Sequence, residues 1–246
     1  MGVGMDHIDV AALNRAGIKA SNTSGSLDNS VAEIAIALAL NAGRRLKEGY
    51  EKIKKDQWEH HPLWLCGQDI YNSTFGIVGL GNIGRAIAKR VFAFEPSRIL
   101  YSGNTPKSYG SEFKGEFVPL ETLLAQSDFV CLICPLNAQT KNLINSKTLK
   151  LMKKNAILIN VARGGVVDQD ALVDALKAGQ IGGAGLDVMT PEPLPPDHPL
   201  VSLDNCVLSP HLGSASVATR NLMAAIAAKN IMAALQGRPL PNEVLP

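Results

Sequence analysis

Phe75-Gly76-Ile77-Val78-Gly79-Leu80-Gly81-Asn82-Ile83-Gly84 is the stretch of sequence that decides the fold of this chain. Its first four residues predict a buried strand, and residues 82–94 predict a helix that begins directly after the glycine-rich turn. A G-x-G-x-x-G string between a strand and a helix is typical of a dinucleotide-binding site. The alternative interpretation is a tight strand-to-helix turn that binds no ligand.

Each glycine of this turn has its own expected role. Gly79 would form the tight turn, Gly81 would let a pyrophosphate approach the backbone, and Gly84 would let the helix pack closely on the sheet. The free N–H groups of Asn82 and Ile83, at the N-terminus of the helix, would then bind the phosphates.

Strands and helices alternate outward from this turn. After the strand at residues 75–79, further strands are predicted at 98–102, 129–134, 156–161, 184–188 and 206–209. Helices are predicted between most of them, at 82–94, 120–126, 146–153 and 168–178. This alternation predicts an α/β fold with a doubly wound, Rossmann-type sheet of mostly parallel strands and helices on both faces.

Three helices are predicted outside this alternating block. Ser30-Val31-Ala32-Glu33 is a capping box that opens an alanine-rich helix ending at Asn41. Because that helix has almost no polar face, we expect it to be buried between domains or subunits. Residues 44–57 predict a charged, exposed helix, and residues 216–236 predict a long helix that Gly237 terminates. The two ends of the chain are therefore expected to be appendages of a central domain.

The composition excludes several classes of protein. The 246 residues are 46% hydrophobic, and their net charge of +2 is too close to zero to indicate nucleic-acid binding. No apolar run approaches the ~18 residues of a membrane-spanning helix and no targeting signal is evident, so we expect a cytoplasmic protein. Cys131 and Cys134 form a C-x-x-C string, but positions three apart in a strand point to opposite faces, and no second pair lies at zinc spacing. No metal site is expected.

The loop after the second predicted strand bears on the choice between NAD and NADP. An acidic residue there would bind the ribose diol of NAD and repel the 2′-phosphate of NADP. The loop has no acid and instead offers hydrogen-bond donors from Ser102, Asn104, Thr105 and Lys107. We therefore expect NADP(H) to be preferred over NAD(H), the alternative being a loop that is simply polar and solvated.

Polar side chains follow three of the later strands, whose carboxyl ends should meet at one edge of a parallel sheet. Arg163 follows the strand at 156–161, Asp187 ends the next, and His211 follows the last. Glu192 lies shortly beyond Asp187 in a Pro-Glu-Pro turn. Each of these residues could be structural on its own, but the set at the nucleotide-binding edge favours a catalytic site.

This set suits the reduction of a 2-keto acid. The planar fork of an arginine pairs with a carboxylate or carbonyl oxygen, and a histidine can protonate the alkoxide that hydride transfer creates. An unperturbed imidazole, with a pKa of ~6.5, is only about one quarter protonated at pH 7. A neighbouring carboxylate would increase that fraction, and Glu192 is the candidate for this neighbour.

Four strings follow one another along the chain: Gly79-Leu80-Gly81-Asn82-Ile83-Gly84; Asn160-Val161-Ala162-Arg163-Gly164-Gly165; Gly185-Leu186-Asp187-Val188 with Pro191-Glu192-Pro193; and Pro210-His211-Leu212-Gly213-Ser214. In type and order they resemble the D-isomer-specific 2-hydroxyacid dehydrogenases, over essentially all 246 residues. Pro62-Leu63-Trp64-Leu65-Cys66-Gly67 is similar to members that reduce glyoxylate and hydroxypyruvate. The resemblance implies NADPH-dependent reduction of these small 2-keto acids to glycolate and D-glycerate.

The resemblance also implies roles for individual residues. His211 would be the proton donor, Glu192 its charge partner, and Arg163 the substrate anchor. The other implied contacts are Pro135, Val161, Asp187 and Gly213 for the cofactor, and Val3, Gly4 and Ser214 for the substrate. Residues 44–66 would form an arm that joins two copies into a homodimer.

The same resemblance implies how the chain divides into domains. Residues 1–26 would be a remnant of a substrate domain, residues 27–215 the dinucleotide-binding domain, and residues 216–246 a helix returning to the substrate domain. Members of the family carry a further half-domain before the position of Met1, so we expect cofactor binding to persist and activity to be impaired. The alternatives are a reductase of another 2-keto acid, or a non-catalytic dinucleotide-sensing module like the corepressors of the same family.

Overall fold

A seven-stranded parallel sheet forms the centre of the structure, a computed structural model that describes residues 2–245. The strands within these residues are β1 (Ala20–Ser21), β2 (Thr74–Val78), β3 (Arg98–Ser102), β4 (Gly115–Phe117), β5 (Phe129–Leu132), β6 (Ile157–Asn160), β7 (Gly183–Leu186), β8 (Cys206–Leu208) and β9 (Glu243–Val244). The sheet order is β4-β3-β2-β5-β6-β7-β8, and all neighbouring strands in it are parallel. The order reverses at β2, so the doubly wound Rossmann-type fold predicted from the sequence is confirmed.

Helices connect these strands and flank them. They are α1 (Val10–Arg15), α2 (Asp28–Gly43), α3 (Leu46–Lys54), α4 (Asn82–Phe92), α5 (Leu120–Gln126), α6 (Ser146–Leu149), α7 (Gln169–Lys177), α8 (Pro199–Ser202) and α9 (Val217–Leu235), with 3-10 helices at Ser108–Phe113 and Gly164–Val166. β3 and α5 have the predicted bounds, and the other predicted elements begin or end within a few residues of the prediction.

The start of α2 differs from the prediction. The helix begins at Asp28, and its N-cap residue, Leu27, makes no side-chain capping bond. Ser30 therefore lies in the first turn of the helix, and the predicted Ser30–Glu33 capping box is wrong. Elsewhere the capping signals hold, because Asp168 caps α7 through Ala171 N (3.1 Å) and Gly237 follows α9 with a φ of +66°.

The burial of α2 is confirmed, and its place between domains or subunits stays a prediction. Its apolar side chains, including Val31, Ile36 and Leu38, belong to one core with α4 and one face of the sheet. The backbone of Gly185 in β7 lies so close to α2 that a Cβ atom there would be 2.8 Å from the Cβ of Leu38. Packing on α4 and on the sheet therefore accounts for most of the apolar surface of the helix, while Glu33 and Ala37 are exposed.

The opposite face of the sheet has its own core, formed with α5, α6 and α7. Successive residues of one strand enter different cores: Ile157 and Ile159 of β6 face α2, and Leu158 faces α7. Burial on both faces explains why the strands read as unbroken apolar runs rather than alternating ones.

The two ends of the described chain meet. β1 and β9 pair antiparallel, with Ala20 opposite Val244, and the backbone N–H of Asn22 donates to Asn242 O (3.1 Å). The next residue, Thr23, binds the first described residue of the chain, because its N–H donates to Gly2 O (3.0 Å). The division into domains at residues 26 and 215 stays a prediction. Among residues 2–245, no helix is both long and apolar enough to cross a bilayer.

Candidate active site

The predicted site residues lie at one edge of the sheet. The glycine-rich turn follows β2, Arg163 follows β6, Asp187 follows β7, and His211 follows β8. Because the seven strands are parallel, all of their carboxyl ends lie at this edge. The topology thus brings together residues that are far apart in sequence.

The glycine-rich turn has the geometry that a dinucleotide requires. Gly79 has a φ of +100°, a backbone conformation that favours glycine. A Cβ atom on Gly84 would collide with the carbonyl oxygen of Gly79, so only glycine lets α4 pack this closely on the turn. In contrast, a Cβ atom on Gly81 would meet no atom within 4 Å. The space in front of Gly81, at the N–H groups of Asn82 and Ile83 in the first turn of α4, can therefore accept a phosphate.

The loop after β3 presents polar groups next to this turn. Ser102 is buried at the end of the strand, and its carbonyl oxygen accepts a bond from Gly79 N (2.9 Å). Asn104 and Thr105 are exposed, and Lys107 Nζ lies 3.3 Å from Thr105 Oγ1. An ammonium group and two polar side chains thus stand together in the loop that is predicted to bind the dinucleotide ribose.

Tyr109 is a residue of this region that sequence reasoning missed. Its hydroxyl donates to Leu80 O (2.5 Å) in the glycine-rich turn, and the guanidinium of Arg85 lies 4.9 Å from the centre of its ring. The 3-10 helix Ser108–Phe113 is thereby attached to the turn. No motif in the sequence signals this contact.

His211 and Glu192 form a hydrogen-bonded pair. His211 Nδ1 lies 2.8 Å from Glu192 Oε2, and the second carboxylate oxygen of Glu192 accepts a bond from Met189 N (3.0 Å). His211 has a φ of +55°, a left-handed conformation that is uncommon for a residue other than glycine. The structure therefore brings together the two residues that the sequence analysis paired.

Asp187 holds the loop that carries His211. The residue is 2% exposed, and its carboxylate accepts bonds from Leu212 N (2.7 Å), Gly213 N (2.8 Å) and the hydroxyl of Ser209. Its carbonyl oxygen accepts a further bond from His211 N (2.9 Å). These contacts stabilise the left-handed backbone at His211. A contact of Asp187 with a nicotinamide stays a prediction.

Arg163 is fixed by two contacts at the same edge. Its Nε donates to Asp6 Oδ1 (2.9 Å), and its Nη1 donates to Ala162 O (2.8 Å). A Cβ atom on Gly4 would collide with the guanidinium, so the predicted substrate loop lies directly on Arg163. Partial burial raises the pKa of Asp6, but a backbone hydrogen bond and the charge of Arg163 outweigh it and lower that pKa below its ordinary value. Asp6 was not predicted as a site residue.

The remaining predicted site residues lie near this edge with backbone contacts of their own. Val161 is buried, and its N–H donates to Leu132 O (3.2 Å). Pro135 is exposed, and its carbonyl oxygen accepts a bond from Thr140 Oγ1 (2.5 Å). Val3 O accepts a bond from Asn22 Nδ2 (3.2 Å), and Ser214 is half-buried just beyond the His211 loop.

The C-x-x-C string is a packing feature. Cys131 belongs to the core on the α2 side of the sheet and Cys134 to the core on the other side, as their spacing predicted. Burial raises the pKa of their thiols to about 12 and about 11. Within the described part of the chain, no three His, Cys, Asp or Glu side chains come together in a way that could bind a metal ion.

A cavity of about 440 Å³ lies away from this site. It is at the amino ends of β6, β7 and β8, between α3 and residues such as Gln68, Asn155 and Asn205. None of the predicted site residues lines it.

Known proteins resemble this chain over nearly its whole length. Residues 36–213 match the family model for the NAD-binding domain of D-isomer specific 2-hydroxyacid dehydrogenases. A mouse protein named glyoxylate reductase/hydroxypyruvate reductase is 46% identical over 246 residues, which are 99% of this chain and 75% of that protein. A crystal structure of a Thermus thermophilus protein superposes with a TM-score of 0.92 at 45% identity, over 99% of this chain and 77% of the other. The structure of an NADPH-dependent glyoxylate/hydroxypyruvate reductase of Sinorhizobium meliloti, with NADP and malonate, superposes with a TM-score of 0.87 at 36% identity, over 99% and 75%.

Proposed function

Because this chain belongs to the D-isomer-specific 2-hydroxyacid dehydrogenase family, we propose that it reduces glyoxylate and hydroxypyruvate to glycolate and D-glycerate with NADPH. The observation that carries the proposal is the 2.8 Å pair between His211 Nδ1 and Glu192 Oε2, at the sheet edge that also bears Arg163 and the glycine-rich turn. Relatives named for these two substrates support the choice of keto acid.

Arg163 binds and orients the substrate in this proposal. A 2-keto acid carries a carboxylate and an adjacent carbonyl oxygen, and the guanidinium fork can pair with either. The Nε–H of Arg163 donates to Asp6, and one Nη1–H donates to Ala162 O. The Nη2 side of the guanidinium, next to Gly4, is left to bind the substrate. The backbone N–H groups of Val3 and Gly4 and the side chain of Ser214 complete the substrate contacts.

His211 supplies the proton. Since Glu192 faces Nδ1, the proton donated to the substrate oxygen is the one on Nε2, and Glu192 stabilises the charged imidazolium. Bound NADPH supplies the hydride. The cofactor contacts come from the glycine-rich turn with Asn82 and Ile83, from Pro135, Val161, Asp187 and Gly213, and from the loop after β3.

A preference for NADP(H) over NAD(H) follows from that loop. Ser102, Asn104, Thr105 and Lys107 offer donors to a 2′-phosphate, and no acidic residue stands among them. Asn104→Asp places a carboxylate at this position, and we expect it to weaken NADPH binding while leaving NADH binding unchanged or stronger. Fluorescence titration measures both dissociation constants, and equal constants for the unaltered chain would contradict the preference.

The arm of residues 44–66 is proposed to join two copies of the chain. Apolar side chains on it are exposed, among them Tyr50 (62%), Trp58 (63%) and Leu63 (75%). Exposed aromatic and aliphatic groups in one segment are typical of a surface that a partner covers. Sedimentation analysis of the unaltered chain and of Leu63→Lys tests the dimer.

Turnover of the 246-residue chain tests the activity. NADPH is mixed with hydroxypyruvate or glyoxylate, and its near-ultraviolet absorbance is followed. His211→Ala should lower kcat by ~10² to 10⁴, whereas Gln180→Ala, beyond the far end of α7, should leave it unchanged. Binding of NADPH without turnover of any 2-keto acid would instead support a dinucleotide-sensing module. Slow turnover by this stretch of chain on its own stays a prediction, which the same assay measures.

A further inference from the structure

Glu192 lies in an exposed loop that is poor in regular structure. The loop runs from β7 to β8 through residues 187–205 and contains only the short helix α8. Before Glu192 in this loop, Val188 and Met189 are buried, and Met189 N donates to the carboxylate of Glu192 (3.0 Å). Beyond Glu192, Leu194 is partly buried and Leu200 is fully buried. Residues 190–193 between them are exposed, so a contact to their backbone helps to hold the carboxylate at 2.8 Å from His211.

Gln169 makes two hydrogen bonds to the backbone just before Glu192. Its Nε2 donates to Thr190 O (2.7 Å), and its Oε1 accepts a bond from Thr190 N (2.9 Å). One amide side chain thus satisfies both backbone groups of an exposed residue, as a neighbouring strand would do. This two-point contact fixes the orientation of the peptide groups that lead into Glu192.

The same amide reaches the far side of the loop. Gln169 Nε2 lies 3.1 Å from His198 Nε2, and His198 Nδ1 accepts a bond from Leu200 N (3.2 Å) at the start of α8. Thr190 and His198 lie on opposite sides of Glu192 in the sequence. Gln169 therefore bridges the two ends of the segment that presents the carboxylate.

Gln169 itself is rigidly placed. It is the first residue of α7, directly after the N-cap Asp168. The preceding 3-10 turn packs against the same loop, because a Cβ atom on Gly164 would collide with the backbone of Met189 and the hydroxyl of Thr190. Gln169 therefore stands at the start of a helix, next to a turn that packs against the same loop.

We propose that Gln169 is a positioning residue for the reaction: it holds the Glu192 loop so that the Glu192 carboxylate faces His211. The proposal rests on the proposed function. The amide of Gln169 bonds to Thr190 and His198, neither of which is proposed to contact the substrate or the cofactor, so its loss should affect kcat rather than the binding of either.

The test is Gln169→Ala, with Gln180→Ala as the matched control. Gln180 lies just beyond the other end of α7, and its side chain makes no hydrogen bond in the described part of the chain. Gln169→Ala should lower kcat about 10-fold, within the ~10²-fold that a 1 Å displacement of a reacting group can cost. The KM for hydroxypyruvate and the dissociation constant of NADPH should stay within about twofold of the unaltered chain.

A double variant separates positioning from a general loss of stability. If Gln169 acts through Glu192, adding Gln169→Ala to Glu192→Gln should lower kcat by less than a further twofold or so. If the loss of kcat in the double variant equals the product of the losses in the two single variants, the proposal is overturned.

A readout that needs no turnover distinguishes this proposal from the proposed function. In NMR spectra, the imidazole N–H signal of His211, assigned by its absence in His211→Ala, should be visible because the bond to Glu192 slows its exchange with water. It should disappear in Gln169→Ala and persist in Gln180→Ala. If no keto acid is reduced, the proposed function fails while this experiment still decides the role of Gln169, and a signal that persists in Gln169→Ala overturns it.

Discussion

Replacing Asp187 by alanine should destabilise the folded protein and disorder the His211 loop. The carboxylate of Asp187 is 2% exposed and accepts bonds from Leu212 N at 2.7 Å and Gly213 N at 2.8 Å. Alanine leaves both N–H groups without this partner, and it also frees the hydroxyl of Ser209.

The magnitude follows from the two amide groups. A buried donor without a partner costs about 1–3 kcal/mol, so two of them cost about 2–6 kcal/mol. Gly213 is buried, whereas Leu212 is exposed, and water can replace the lost bond there. We therefore expect the free energy of unfolding to fall by about 2–4 kcal/mol, a large part of the 5–15 kcal/mol typical of a domain.

Urea unfolding followed by circular dichroism measures this change. Asp187→Asn keeps one carbonyl oxygen as acceptor and should lose about 1–3 kcal/mol. The control is Asp174→Ala in α7, where the carboxylate is exposed and the change should stay within about 0.5 kcal/mol. If Asp187→Ala and Asp174→Ala have the same unfolding free energy, the carboxylate does not hold the loop, and the reasoning is refuted.

Three further outcomes are expected. Gly81→Ala should leave the unfolding free energy within about 1 kcal/mol of the unaltered chain. It should weaken NADPH binding at least about tenfold, because the added Cβ enters the open space of the turn. Gly84→Ala should instead lower the unfolding free energy by about 1–3 kcal/mol, because its Cβ collides with Gly79. With a thiol reagent at pH 8, one cysteine per folded chain should react quickly, namely the exposed Cys66, because burial raises the pKa of the other three to about 11 or 12; rapid reaction of a second thiol would contradict this. The pKa of Asp6 is lowered below its ordinary value, so its ion pair with Arg163 stabilises the folded state at neutral pH, and this stabilisation is lost as the pH falls through the folded pKa. Hydrogen exchange of residues 2–9 should therefore rise below pH ~4 in the unaltered chain. An equal rise in Asp6→Asn would argue against the pair.

The central sheet could be predicted because its strands are buried on both faces. Continuous apolar runs such as the one in β5, and helices with clear caps such as α7, carry strong local signals. β4 was missed because only three residues, Gly115–Phe117, form it at the exposed edge of the sheet, and β1 and β9 have two residues each. The start of α2 was misplaced because a capping box is only a local pattern, and the helix begins two residues before Ser30, at Asp28, without a side-chain cap.

The candidate site could be predicted only in part. A parallel sheet brings the residues after its strands to one edge, so Arg163 and His211 could be placed near each other from topology alone. The contacts that hold them could not be placed in this way. Asp6 lies 157 residues from Arg163, and the amide of Gln169 bonds to the backbone of Thr190 and the side chain of His198, 21 and 29 residues away. Neither contact corresponds to a residue spacing that could be recognised in the sequence.

The antiparallel pair of β1 and β9 has a consequence for the order in which the chain folds. Ala20 and Val244 lie almost a whole chain length apart, and closing a flexible loop of roughly 200 residues costs about 5 kcal/mol of entropy. The hydrogen bonds of a two-residue strand, at about 1 kcal/mol each, do not offset this cost. The pair can form only once the intervening sheet has already brought its two halves together. Residues 2–23 contain β1 and the loop that lies on Arg163. We therefore expect this segment to be the last of the residues around Arg163 to reach its folded position.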